Sequence, residues 1–127
     1  MRIHWLGVVY GLATAFLGMA LVTLGGWLVL ALVSVDDPAV VAAVIGAPVG
    51  ALVGGFIGGR TAVRSVFHGA IVGVLFAGAV TIISVLDGSP ASLPTMVGFL
   101  LAGVVLGGVG GWLAEFRRSR RDPTAVD

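Results

Sequence analysis

The chain has 127 residues, of which 58% are hydrophobic and only 10% charged. A soluble domain carries about a quarter charged residues, so a soluble enzyme and a soluble binding module are excluded, and the composition is that of a membrane protein. The formal charge of +1 says little as a sum, and with no Cys there is no disulfide framework, thiolate metal site or cysteine nucleophile.

The placement of the charges says more. Ile3–Val35, Pro38–Gly59, Ser65–Leu86 and Gly88–Ala114 contain none, and these runs are 33, 22, 22 and 27 residues long. A spanning helix needs ~20 apolar residues to cross ~30 Å of hydrocarbon. Each run is long enough to cross once as helix and too short to cross twice. Spanning strands would alternate apolar and polar residues, and no run does so. The fold class expected is therefore an all-α integral membrane four-helix bundle, a single domain built as two tandem helical hairpins.

Helix 1 is predicted over Trp5–Val33. Its start, Met1-Arg2-Ile3-His4, resembles the basic head of a signal peptide, but a signal core is only 7–15 residues long. The apolar stretch here continues to Val35, so a retained helix is expected. Asp36-Asp37-Pro38 is a tight turn into helix 2, predicted over Ala39–Gly59.

Helix 2 can be written in tetrads from Val40: VVAA, VIGA, PVGA, LVGG, FIGG. Ala42, Gly46, Gly50, Gly54 and Gly58 form one row; Ala43, Ala47, Ala51, Gly55 and Gly59 form the row beside it. This is a glycine-zipper pattern. Lipid tails are as apolar as Leu, so membrane helices associate where small residues let backbones come near. A two-row face can receive two neighbours, which would put helix 2 near the bundle centre. Helix 2 is also marginal alone. Its nine large apolar residues contribute about −3 to −5 kcal/mol on the insertion scale, before the costs of six Gly and Pro48, so insertion as a hairpin with helix 1 is expected.

Arg60 and Arg64 close the next loop. Helix 3 is predicted over Val66–Leu86, with Gly69, Gly73, Ala77 and Thr81 in line. Asp87-Gly88-Ser89-Pro90 is a turn, and Ser92 or Pro94 can start helix 4, predicted over Pro94–Ala114 with Gly103, Gly107 and Gly111 in line. A polar tail, 115–127, follows. At an offset of 53, Gly50, Gly54, Gly55, Gly58 and Arg64 meet Gly103, Gly107, Gly108, Gly111 and Arg117; at an offset of 58, Tyr10-Gly11 meets His68-Gly69. An internal duplication of parallel halves, about an axis along the membrane normal, is the expected cause.

All seven basic residues are Arg, and four crossings place all of them on one side. By the positive-inside rule both termini and the Arg60–Arg64 loop are expected to be cytoplasmic, in the cell membrane. Arg60, Arg64, Arg117, Arg118, Arg120 and Arg121 are candidate lipid-headgroup residues. The run FRRSRR also serves as a stop-transfer signal. Without a folded basic domain, nucleic acid is not an expected partner.

No Asp, Glu, Lys or Arg lies at membrane depth. Proton relays and coupled transporters mark themselves with such residues, so none is expected, and neither are a metal, a cofactor or a catalytic residue. His68 is expected at the interface, reaching headgroups or the end of helix 2, with a pH-sensitive contact to Glu115 as the sharper alternative. Glu115 otherwise serves a local helical pair.

At GGFIGGRTAVRSVFHGAIVG, Gly54 to Gly73, the chain resembles small four-span families of unknown function, one widespread in halophilic archaea and a similar one in Gram-positive bacteria. The shared layout is a Gly-rich second helix, a short polar-basic loop and a Gly-led third helix. The resemblance implies the four-span fold and brings no activity and no functional residues. The function expected is that of a structural or accessory subunit, not an enzyme, acting in the bilayer through helix packing. It would act alone, as a homo-oligomer or with a membrane protein partner, and the alternative for its small rows is the internal packing of a monomer. Its packing residues would be Gly46, Gly50, Gly54, Gly58, Gly69, Gly73, Gly103, Gly107 and Gly111. The alternative is a small channel or passive permease lined by Gly carbonyls, Thr14, Thr81 and Ser84.

Overall fold

A computed structural model describes residues 5–34, 36–60, 64–88 and 92–121. Arg2, His4, the turn residues Ser89 and Pro90, the side chain of Arg121 and the tail beyond it lie outside the described residues. Four helices make up the chain: α1 (Trp5–Leu32), α2 (Pro38–Arg60), α3 (Ser65–Leu86) and α4 (Leu93–Arg121). All four are long and apolar enough to cross a membrane. The protein is thus an all-α bundle of the polytopic membrane type. Glycine-rich segments hold helical form here because hydrocarbon offers the backbone no other hydrogen-bond partner.

The helix ends follow local chemistry. Ser34, at φ 57°, turns the chain after α1. Asp37 accepts from the Val40 and Val41 amides at 3.1 and 3.3 Å, and Pro38, which has no amide hydrogen to lose, opens α2. Gly88, at φ 76°, closes α3 in the left-handed region that glycine adopts without steric cost. Ser92 caps α4: its carbonyl accepts from Met96 and its hydroxyl lies 2.8 Å from that of Thr95.

α4 runs seven residues past the expected end at Ala114, so the first part of the expected tail is helix. Pairs four apart hold it there. Trp112 stacks on Phe116 at 5.7 Å, Arg120 lies 4.5 Å from the Phe116 ring centre, and the Ser119 hydroxyl donates to the Glu115 carbonyl.

α1 and α2 form one antiparallel hairpin, α3 and α4 the other, and α2 packs against all three other helices. α2 and α4 run parallel. Among the described residues α1 and α4 do not touch. Within the first hairpin Gly7 faces Gly58, Gly11 faces Gly54 and Ala15 faces Gly50; within the second, Ser65 faces Gly111, Gly69 faces Gly107 and Gly73 faces Gly103. The second set repeats the first at offsets of 58 on the leading helix and 53 on the returning helix.

The hairpins are joined at the Arg-rich end and splay at the other. Buried positions stop at Ala15 in α1 and Ala77 in α3, and in α4 they run only from Gly103 to Ala114. α2 alone is buried from Ala42 to Gly59. The core cluster is Ala15, Ala47, Ala51 and Phe76. Phe76 is its one large side chain. It reaches from α3 to meet Phe16 edge-on at 5.1 Å.

Candidate functional site

The two small-residue rows of α2 meet different helices. The row of Gly46, Gly50, Gly54 and Gly58 lies against α1. A Cβ placed on Gly50 would stand 2.6 Å from the Ala15 carbonyl oxygen. One on Gly54 would stand 2.5 Å from Ala15 Cβ and 2.6 Å from the Gly11 carbonyl oxygen. No real side chain fits at such distances, so the backbones themselves are in contact. The row beside it turns to α4. A Cβ on Gly55 would collide with the Gly107 backbone, and one on Gly59 would lie 2.8 Å from Gly111 Cα.

Gly69 and Gly73 of α3 face Gly107 and Gly103 of α4 carbonyl to Cα, each blocking a side chain on the other. Gly107 and Gly111 therefore sit where α2, α3 and α4 converge. Carbonyl oxygens lying over Cα hydrogens make weak hydrogen bonds that recur at such interfaces. On the other side of α2, Val72 Cγ2 fills the junction of Gly11 and Gly58. Gly110 was missed by the row pattern, yet a Cβ there would collide with the Leu52 carbonyl and approach Phe56 N to 2.8 Å. Its doublet with Gly111 was the available signal. Gly108, in contrast, meets only Ala70 and Val66 side chains at an ordinary 3.9 Å.

The polar groups inside the spans do not converge. Thr14 donates to the Tyr10 carbonyl at 2.7 Å, and Thr81 to the Ala77 carbonyl at 2.8 Å. The hairpin registers place them about eight residues apart in level, or about 12 Å along the axis. Thr81 and Ser84 instead line a pocket with Thr95 near the splayed end. Thr23 Oγ1 is buried at the α1–α2 interface, against Gly46, with no hydrogen-bond partner among the described residues.

Beside that pocket lies an apolar cavity of about 420 Å³ between α2, α3 and α4. Ala43, Ala47, Pro48 and Ala51 form one wall; Phe99 and Ala102 face them. Pro48 has no amide hydrogen, so the Val44 carbonyl loses its helical partner here, on the same wall.

His68 is buried rather than spread among headgroups, being 5% exposed. Its Nδ1 donates to the Arg64 carbonyl at 3.1 Å. The α3–α4 register sets Glu115, an exposed residue, about seven residues from the His68 level, or about 10 Å. Among the described residues no three His, Asp or Glu side chains converge on a point where a metal could be held.

The Arg residues gather at the joined end. Arg118 donates through Nη2 to the Arg60 carbonyl at 2.5 Å, closing the last turn of α2 against α4. Arg60 and Arg117 both approach the Phe56 ring, at 5.7 and 5.5 Å from its centre. Arg64 is exposed at the start of α3, and Arg120 lies outward over Phe116.

No family model matches this chain, and no curated protein or solved structure is similar to it.

Proposed function

We propose that the chain is a structural or accessory subunit of the cell membrane that docks a second membrane polypeptide against its splayed half. The observation that carries this reading is where contact stops. The glycine backbones of the joined half are occupied by the chain's own helices. In the splayed half, α2 and α4 part around an apolar cavity walled by alanines and by a proline-freed carbonyl. Apolar side chains gain little by leaving lipid, so a helix binds where backbones can approach. Exposed Ala43 and Ala102 at the mouth of the cavity offer such an approach. The repeated contact register of the two hairpins supports an origin by duplication, and the Arg distribution supports cytoplasmic termini.

The test uses the absence of native Cys. A photo-crosslinker on cysteine introduced at Ala102, in native membranes, should trap a second copy or another membrane protein. The same probe at exposed Leu86 should not. A chain that stays monomeric in mild detergent and traps only lipid from both positions would refute the reading. Flux of ions or small neutral solutes through reconstituted vesicles, above the level of empty ones, would favour a pore instead.

A further inference from the structure

The face of α2 that α1 and α4 leave open carries a second site. Leu52, Val53 and Phe56 form its floor, and Leu113 and Arg117 of α4 form its wall, around about 290 Å³. Because α1 and α4 do not touch, this groove opens sideways to the bilayer. Arg60 stands one turn beyond the groove, eight residues from Leu52, about 12 Å. That is close to the hydrocarbon depth of one leaflet, half of ~30 Å. The apolar stretch ends at charge: Arg60 and Arg117 both approach Phe56, so their guanidinium carbons lie at most about 11 Å apart.

Two guanidinium groups gathered at one ring make a positive site that attracts an anion. Among the described residues neither Arg60 nor Arg117 has a carboxylate at ion-pair distance. Phe56 holds both through cation–π attraction, and the Arg118 bond to the Arg60 carbonyl fixes α2 against α4 beneath them. Each guanidinium is permanently charged and donates to phosphate oxygens. We infer that this groove binds an anionic phospholipid of the leaflet at the Arg-rich end, with the phosphate between Arg60 and Arg117 and one acyl chain along Leu52, Val53 and Leu113. This inference needs only the membrane embedding and stands apart from the partner-docking reading.

The full chain, purified in mild detergent and equilibrated with dioleoyl phosphatidylglycerol and dioleoyl phosphatidylcholine, is read by native mass spectrometry. Phosphatidylglycerol should be retained in preference. Arg60→Gln and Arg117→Gln should each weaken that retention about fivefold, the value of one Arg near an anionic headgroup. Arg120→Gln, which alters a charge outside the groove, should leave it unchanged. Leu113→Trp, which fills the groove and keeps every charge, should also weaken it. Arg60→Lys separates charge from fold: it should keep most of the retention that Arg60→Gln loses, with helicity by circular dichroism equal in both. Equal loss for Arg120→Gln and Arg60→Gln would mean that only total surface charge matters, and would overturn the proposal. So would equal loss for the Lys and Gln variants. Glycerol phosphate competing as well as the intact lipid would do the same, because the groove would then contribute nothing.

Discussion

Replacing single glycines by alanine tests the backbone contact between α1 and α2. Alanine is the better helix former, by about 0.5–1 kcal/mol, and that gain applies at every helical glycine. What differs is space. At Gly54 the new Cβ meets the Gly11 carbonyl oxygen at 2.6 Å and must reach ordinary contact near 3.4 Å, so the two backbones part by about 0.8 Å. A gap of that size forfeits a quarter to a half of each contact's attraction, itself ~0.1–0.2 kcal/mol per atom pair. Over roughly twenty close pairs along this interface, the loss is about 0.5–2 kcal/mol. At Gly78 and Gly98 an added Cβ has no neighbour within 4 Å. The expected result is that Gly54→Ala is less stable than Gly78→Ala or Gly98→Ala by about 0.5–2 kcal/mol, the propensity gain cancelling in the comparison. Reversible unfolding in mixed micelles, followed by circular dichroism, measures the difference. Equal stabilities at the three positions would falsify the claim that these backbones touch.

Three further outcomes follow from single contacts. Phe76→Ala should cost about 2 kcal/mol, from a void of roughly 100 Å³ at ~24 cal/mol per Å³, with little transfer term because lipid is as apolar as the core; a loss near zero in the same unfolding assay would mean that Phe76 does not fill the α1–α2 groove. Thr23→Val keeps the shape and removes a buried hydroxyl without a partner among the described residues, so stability should hold or rise by up to about 1 kcal/mol, whereas a clear loss would reveal a hydrogen bond to that oxygen. For topology, thiol labels at Cys introduced for Ser119 and for Arg64 should react from one face of the membrane and a label at Asp87 from the other; opposite faces for Ser119 and Arg64 would contradict four crossings.

The extension of α4 shows how far local pattern reaches. Ala114 is the last residue before the charges, so a rule based on hydrophobic runs stops there. The helix continues because Trp112, Phe116 and Arg120 stack at four-residue steps, a local pattern that a count of hydrophobic residues does not register. His68 shows the opposite case. Its position beside Arg64 marks it as interfacial, and nothing nearby in the chain announces that packing of the neighbouring helices leaves it 5% exposed.

Membrane embedding, the number of crossings and the small-residue rows were all determined along the chain itself. Hydrocarbon penalises charge one residue at a time, and a period of four is visible in any helix that carries it. The partner of each row was decided only in three dimensions: Gly54 against Gly11, Gly55 against Gly107. So were the splay that opens the Ala-walled cavity and the meeting of Arg60 with Arg117 over Phe56. These depend on how far the helices slide and tilt against one another. That is settled by many close contacts between residues about thirty to sixty apart in the chain, acting together, and no local stretch of sequence contains them.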